Sequence, residues 1–134
     1  MPIEYRIEPN LTAEDFRAVL VESTLAERRP AQDLERLRRM LQHADLVVTA
    51  RDGVRLVGVS RAITDFSYCC YLSDLAVASA YQHRGIGKRL IEETHRAAGQ
   101  ETTLILLAAP AAERYYPKIG MTAHTSCWIT PRSR

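Results

Sequence analysis

Hydrophobic positions follow a strand period at first and then a helix period. Residues 3–8 alternate apolar and polar side chains, which predicts a half-buried first strand. Two helices should follow, the first beginning at Thr12, where T-A-E-D resembles a capping box with Asp15 in the acid position. The second helix is predicted to be capped near Asp33. The AERRP stretch between them predicts a loop, because Pro30 disfavours helix at the residue before it.

The middle of the chain has the strand period. Residues 46–50 and 55–63 are apolar-rich and flank the dipeptide Asp52-Gly53, which favours a tight hairpin turn. A third strand is predicted from Tyr68 or Cys69 through Val77. Strict alternation along this strand predicts one shared face for four of its residues, namely Cys70, Leu72, Asp74 and Ala76.

The last third of the chain returns to the helix period after Gly85, and Gly99 stands where a C-cap glycine is expected. The unbroken apolar run at 103–108 is typical of a buried central strand. Pro110 then predicts the start of a short helix over AAERYYPKI. The segment HTSCWIT, residues 124–130, is predicted to be a final strand.

The resulting order, β-α-α-β-β-β-α-β-α-β, predicts an α+β (mixed α/β) fold with a mixed sheet. We expect one domain over residues 1–134, since no repeat or linker-like stretch interrupts the chain. The composition, 46% hydrophobic and 25% charged, is that of a soluble globular protein.

Charge and cysteine content exclude several classes of protein. The formal net charge of +2 is too small to predict a nucleic-acid-binding protein. The three cysteines are an odd number without C-x-x-C spacing, which favours a reducing compartment and argues against a zinc site. The sequence shows no secretory signal and no membrane-spanning run. We therefore expect a cytoplasmic protein with no metal, nucleic acid or membrane partner.

The segment DLAVASAYQHRGIGKRL is the part of the sequence that most clearly indicates a binding site. A strand leads into a loop with Gly85 and Gly87, and the loop opens a helix. Successive backbone N–H groups at a helix N-terminus form an anion site, and glycines let the anion approach the backbone. His83, Arg84 and Lys88 bring basic groups to the same point. The pattern predicts a site for a phosphate or diphosphate.

Two common nucleotide motifs do not fit this loop. The dinucleotide fingerprint needs a third glycine where this chain has Leu90. The Walker-type loop needs Ser or Thr where this chain has Arg89. The pattern that fits is Q-x-x-G-x-G, formed by Gln82, Gly85 and Gly87 after an L-A-V strand end. With that strand end, it resembles the acetyl-coenzyme A motif of the GNAT superfamily of N-acetyltransferases.

The resemblance covers most of the chain. TARDGVRLVGVSRAITD is similar to the superfamily's second-to-third strand hairpin, and AAERYYPKIGM is similar to its A-x-x-x-Y-x-K-x-G-F signature. Two positions depart from the pattern: Ala109 replaces a frequent Asn, and Met121 replaces the usual Phe. The resemblance implies a mostly antiparallel mixed sheet with a central splayed parallel strand pair, flanked by helices.

The implied activity is acetyl-CoA-dependent acetylation of a primary amine, with acetyl-CoA as co-substrate. The amine would attack the thioester directly, through a tetrahedral intermediate and without an acetyl-enzyme. We expect a small-molecule acceptor, because the helix-loop-helix at 12–42 would be a short cover over the acceptor site. Protein amino groups are an alternative acceptor, and a non-catalytic acyl-CoA-binding sensor or regulatory module is an alternative function. The resemblance also implies a homodimer, because members of the superfamily are often dimers.

The resemblance also implies residue roles. Tyr116 would be the acid that protonates the leaving thiolate, with Tyr115 as the alternative, and a phenol of pKa near 10 suits that donor. Asp74 is our first choice for the general base, ahead of Glu22 and Asp65. Backbone groups of Leu75, Ala76 and Val77 would bind the pantetheine arm. The pyrophosphate would be bound by the loop residues Gln82, His83, Arg84, Gly85, Ile86, Gly87 and Lys88.

Overall fold

A computed structural model describes residues 2–133 of the chain. Its strands are β1 (Ile3–Ile7), β2 (Leu46–Asp52), β3 (Arg55–Thr64), β4 (Cys69–Val77) and β5 (Thr103–Ile105). Its helices are α1 (Ala13–Glu22), α2 (Leu34–Gln42), α3 (Ile86–Ala98) and the single turn α4 (Tyr115–Lys118). Short 3₁₀ turns occur at Leu25–Arg28, Ser79–Tyr81 and Pro110–Ala112.

The strands form one mixed sheet in the order β1-β2-β3-β4-β5. Strands β1 to β4 pair antiparallel with their neighbours, and β5 pairs parallel with β4. The parallel pair follows from the crossover through α3, which brings the chain back to start β5 at the same end as β4. The predicted mixed α/β fold with a mostly antiparallel sheet and one parallel pair is confirmed.

Local signals in the sequence form the helix ends as predicted. The Thr12 hydroxyl accepts the Asp15 N–H at 3.1 Å, and the Asp33 carboxylate accepts the Arg36 N–H at 3.0 Å. Each bond satisfies a donor that a helix start leaves unpaired. Gly99 ends α3 with φ of +103°, a conformation that favours glycine. The Leu25–Arg28 turn overlaps the predicted loop at residues 26–30, between α1 and α2.

The sheet has a hydrophobic core on each face. Helices α1 and α2 cover one face, where Phe16 and Leu37 pack in a cluster that includes Val59 of β3. Helix α3 covers the other face, where Leu90 packs in a cluster that includes Val48 of β2. The first turn of α3 is therefore fixed against the sheet, and with it the glycine loop that precedes the helix.

A β-bulge corrects the face predicted for β4. Arg61 of β3 lies opposite Asp74, whereas Ala62 lies opposite Leu72, so β4 has one extra residue at this point. Cys70 packs with Ala98 of α3, while Ala76 packs on the α1–α2 face. The predicted single face for Cys70, Leu72, Asp74 and Ala76 is wrong, because a bulge changes the alternation of side chains. All four are nonetheless buried.

The C-terminal part of the fold also differs from the prediction. Strand β5 has three residues instead of the run 103–108, and it lies at the sheet edge with Ile105 half-exposed. Residues 124–130 form no strand, and Trp128 is 91% exposed. Alternation of apolar and polar residues did not suffice to form a strand at 124–130. A strand needs a neighbouring strand to bond its backbone, and this segment pairs with none of the described strands. The predicted short helix over 111–119 is divided into a 3₁₀ turn and α4.

Within residues 2–133, no helix combines the length and the apolar character that crossing a membrane requires.

The core predicts a large difference between two truncations on the same helix. Phe16 is fully buried, whereas Val21 of α1 is 59% exposed. We expect Phe16→Ala to lower the free energy of unfolding by about 3–5 kcal/mol, through lost burial and a cavity. Val21→Ala should change it by less than about 0.5 kcal/mol. Urea denaturation measures both, and equal losses would contradict this assignment of the core.

Candidate functional site

Strands β4 and β5 separate and leave one edge of β4 open. They pair only from Cys69–Thr103 to Tyr71–Ile105, although β4 continues to Val77. The Ala78 N–H donates to the Val57 carbonyl on the β3 side at 2.8 Å. Since backbone groups alternate along a strand, those of Val77 and Leu75 point toward the opening. An extended polar ligand could bond this edge as an additional strand would.

The three strand-end positions predicted from the sequence therefore differ. Leu75 and Val77 direct backbone groups into the opening, and the Val77 carbonyl accepts the Gln82 amide N–H at 3.0 Å. Ala76 lies opposite Val59 of β3, so its backbone faces that strand, and its side chain is buried. By this geometry, Leu75 and Val77 are the residues with backbone groups available to a ligand in the opening.

The loop after β4 has the backbone of an anion site. Gly85 is the N-cap of α3 with φ of +80° and provides no side-chain cap. The first N–H groups of α3 are consequently left for another acceptor. His83 is also left-handed, with φ of +66°, and Arg84 lies over the Tyr81 ring at 4.9 Å from its centroid. Ile86 is buried and anchors the turn, while the exposed residues are Gln82, His83, Arg84, Gly85 and Lys88.

Two tyrosines of α4 lie close to this anion site. The Tyr115 hydroxyl lies 2.8 Å from the point that a Cβ on Gly87 would occupy, and it faces the Lys88 N–H. Gly87 therefore permits a close approach that no other residue allows. The Tyr115 and Tyr116 rings make an edge-to-face contact, with centroids 5.2 Å apart. The structure thus brings together the glycine loop and the tyrosine segment.

Burial raises the pKa of both phenols. Loss of hydration raises the pKa of Tyr115 above its usual value of 10, and the nearby Lys88 N–H partly opposes this. Burial raises the pKa of Tyr116 as well, and the neighbouring Tyr115 adds to the increase. Both side chains are accordingly neutral O–H donors at physiological pH.

Asp74 lies in a buried group of charges, which we call the Arg29–Asp74–Arg61 cluster. Its side chain is fully buried, and its two carboxylate oxygens each accept an Nε–H, one from Arg29 and one from Arg61. Arg29 also donates to the Ser73 carbonyl at 2.7 Å, and Arg61 donates to the Ser73 hydroxyl at 3.1 Å. The cluster ties the loop after α1 to the bulge of β4. The role of Asp74 as a base stays a prediction, and its oxygens are already bonded.

The other two carboxylates considered for the base have different surroundings. Asp65 accepts three backbone N–H bonds in the β3–β4 turn, which lower its pKa to about 2. Glu22 is exposed and pairs with Arg55 at 3.4 Å. Neither lies in the Arg29–Asp74–Arg61 cluster.

Sequence reasoning placed Arg29 only in the turn of the helix-loop-helix over the acceptor site, and it did not single out Arg61. Arg61 had a usable signal, because an arginine inside the apolar run of β3 needs a buried anionic partner. Nothing in the local sequence distinguishes Arg29 from Arg28, its neighbour in the polar loop. Its contact with Asp74 joins residues far apart in sequence and depends on the tertiary fold.

The family of the chain is now clear. The model of the acetyltransferase (GNAT) domain matches residues 12–127. This chain belongs to the GNAT acetyltransferase family, whose enzymes use acetyl-CoA. No curated protein matches its sequence.

Similar solved structures agree in fold. A probable acetyltransferase of unknown function from meticillin-resistant Staphylococcus aureus is 22% identical, with a TM-score of 0.77 over 97% of this chain and 100% of that one. An aminoglycoside N-acetyltransferase in complex with CoA is 15% identical, with a TM-score of 0.75 over 99% and 96% of the two chains. A ribosomal-protein-alanine N-acetyltransferase from Brucella melitensis is 18% identical, with a TM-score of 0.72 over 98% and 100%.

The buried cluster predicts a strong effect of neutralising its carboxylate. Asp74→Asn should lower the free energy of unfolding by about 3–5 kcal/mol, because the buried Arg61 and the partly buried Arg29 lose their anion. Glu22→Gln, which breaks the exposed pair with Arg55, should cost less than about 1 kcal/mol. Chemical denaturation near neutral pH measures both. A loss for Asp74→Asn no larger than for Glu22→Gln would show that the cluster does not stabilise the fold.

Proposed function

We propose that this protein is an N-acetyltransferase that moves the acetyl group of acetyl-CoA directly to a primary amine of a small molecule. The observation that carries the proposal is the convergence of three features. They are the open β4 edge at Leu75 and Val77, the uncapped start of α3, and a neutral phenol on α4. Each suits one requirement of the reaction.

The residues present suit the cofactor's phosphates. The first turn of α3 has no cap from the side chain of its N-cap residue, and Gly87 adds no Cβ beside this turn, where the Tyr115 hydroxyl lies. Arg84 and Lys88 are exposed beside this turn and add positive charge. We propose that the loop Gln82–Lys88 holds the pyrophosphate, and that Leu75 and Val77 bond the pantetheine arm.

The thioester supplies an activated acetyl group, and the protein has to orient it and manage two protons. In the proposed reaction the amine nitrogen attacks the carbonyl carbon, the C–S bond breaks, and the sulfur leaves as a thiolate. Tyr116 is a neutral phenol, and it would donate its proton to that thiolate. Free N–H groups of the β4 edge are suited to polarise the carbonyl oxygen. The attacking amine loses its proton to a base, for which Asp74 stays the sequence prediction.

Finer points of the proposal rest on the family and on the sequence. N-acetylation is supported by similar structures that are named N-acetyltransferases. A small-molecule acceptor is favoured over a protein amino group by the short α1–α2 cover. A homodimer and a cytoplasmic location stay predictions.

Removing the Tyr116 hydroxyl tests the enzyme against a non-catalytic CoA-binding module. Tyr116→Phe should lower kcat by about 100-fold or more, as expected for loss of a general acid. CoA affinity should stay within about threefold, because the ring is kept. Thiol release from acetyl-CoA and calorimetric titration of CoA give the two quantities.

Tyr115→Phe is the matched control, since its hydroxyl faces Lys88 instead. A small change in kcat for this variant assigns the acid to Tyr116. A large loss in Tyr115→Phe alone would transfer the role to Tyr115, and full activity in both variants would remove the tyrosine acid altogether.

A methyl group on residue 87 tests the phosphate site. Gly87→Ala should weaken CoA binding about tenfold or more, because the new Cβ would obstruct charge-assisted N–H bonds to the pyrophosphate. The same Cβ would also displace the Tyr115 hydroxyl, which lies 2.8 Å from its position. The double variant Gly87→Ala/Tyr115→Phe separates these effects by removing that hydroxyl. Wild-type affinity in the double variant would contradict a phosphate role for Gly87.

A further inference from the structure

The Arg29–Asp74–Arg61 cluster carries more positive than negative charge. Two guanidiniums share one carboxylate, so the cluster has a net charge of +1. The side chains of Arg61 and Arg29 are only 10% and 22% exposed. A charge removed from water is costly unless an opposite charge compensates it. The surplus positive charge of the cluster therefore favours the binding of a further anion.

Arg29 is the member whose charge is available. Arg61 also directs three N–H groups, to Asp74, the Ser73 hydroxyl and the Met40 carbonyl, so exposure and not the number of bonds distinguishes the two arginines. A guanidinium has five N–H donors, and Arg29 directs one each to Asp74, the Ser73 carbonyl and the Arg28 carbonyl. Across residues 2–133, no acceptor is recorded for its other two N–H groups, which belong to the terminal nitrogens. Arg29 is also the more exposed of the two.

The guanidinium of Arg29 stands at the open edge of β4. Ser73, whose carbonyl it bonds, lies beyond the last β4–β5 pair at Tyr71. Ser73 also precedes Leu75, where the proposed binding edge for the pantetheine arm begins. The phosphates would lie at the other end of that edge, at the start of α3. The arm therefore runs from α3 toward Ser73, which puts Arg29 beside its thioester end.

We propose that Arg29 binds a carboxylate of the acceptor, so that the acceptor is an amino acid or a similar amine that carries a carboxylate. This inference rests on the proposed function, because it assumes that the thioester lies along β4. A guanidinium with two free N–H groups suits a carboxylate, and the ion pair would neutralise the surplus charge. The same surplus charge repels a polycationic amine.

The first experiment compares acceptors on the wild-type protein. Amino acids and their α-amides differ in the carboxylate and share the side chain. Rates of thiol release from acetyl-CoA should be compared at equal concentrations of unprotonated amine, since the two classes differ in amine pKa. We expect kcat/KM to be about tenfold or more higher for the amino acid, as for one charge-assisted bond. A kcat/KM for amides or polyamines equal to or higher than that for the amino acid would overturn the proposed anion site.

Variants then assign the preference to Arg29. Arg29→Gln should bring the ratio of amino acid to amide close to one, mainly by raising KM for the amino acid. It should fold, because Asp74 keeps its pair with Arg61. Arg28→Gln is the matched control, since it removes the same charge from an exposed neighbour and should keep the wild-type ratio. Arg29→Lys should restore part of the preference for the amino acid over the amide, because it keeps the positive charge. Equal losses in Arg28→Gln and Arg29→Gln would overturn the assignment.

A binding measurement gives the same comparison without turnover. Amino acids should raise the melting temperature of the CoA-bound protein more than their amides do, and Arg29→Gln should abolish the difference. No such difference in the wild type would overturn the inference. Failure of the proposed function has another signature, namely neither CoA binding nor thiol release with any acceptor. If CoA binds and amides or polyamines are acetylated faster, only the acceptor site is refuted.

Discussion

The incomplete pairing of β4 is the constraint on which the rest of this structure depends. Backbone N–H and C=O groups need partners, and a strand in the middle of a sheet ordinarily finds them on both sides. Here β5 turns away after Ile105, while β4 continues to Val77. At Leu75 and Val77, the edge has backbone groups that no neighbouring strand bonds, and of these the Val77 carbonyl accepts the Gln82 amide N–H. It is therefore both a weak point of the sheet and a ready site for a ligand with its own amide groups.

Different helices pack on the two faces of the sheet, and each face places a different part of the candidate site beside this edge. Helix α3 packs through Ile86 and Leu90 on one face and so fixes its own N-terminus next to the end of β4. Helices α1 and α2 pack on the other face, and the loop between them reaches β4 through Arg29. One face thus supplies the proposed phosphate site and the other the proposed acceptor site. The bulge at Ser73 and Asp74 is where this second contact is made.

Sequence reasoning succeeded where the structure depends on local signals. The caps at Thr12 and Asp33 and the end of α3 at Gly99 are decided within a few residues, and each formed as predicted. The glycine loop was likewise recognisable from sequence, because the spacing of Gly85 and Gly87 is what leaves backbone N–H groups at the helix start accessible to an anion.

The failures share a different cause, which is dependence on partners distant in the sequence. The bulge of β4 is a matter of register with β3, and alternation within one strand does not reveal it. Residues 124–130 have the pattern of a strand but no partner beside them. Arg29 meets Asp74 only after the helices have packed on the sheet. The candidate site was therefore predictable at its proposed phosphate end and much less so at its proposed acceptor end.

The proposed carboxylate at Arg29 also bears on how the acceptor amine loses its proton. An amine attacks only as the free base, and in an amino acid the neighbouring carboxylate stabilises the protonated ammonium. Pairing that carboxylate with a guanidinium cancels its stabilising field, and the cluster's positive charge disfavours the ammonium directly. Both effects lower the pKa of the acceptor amine before any protein group removes its proton. An arginine can in this way contribute to deprotonation without accepting the proton, which reduces what is required of Asp74, whose oxygens are already bonded.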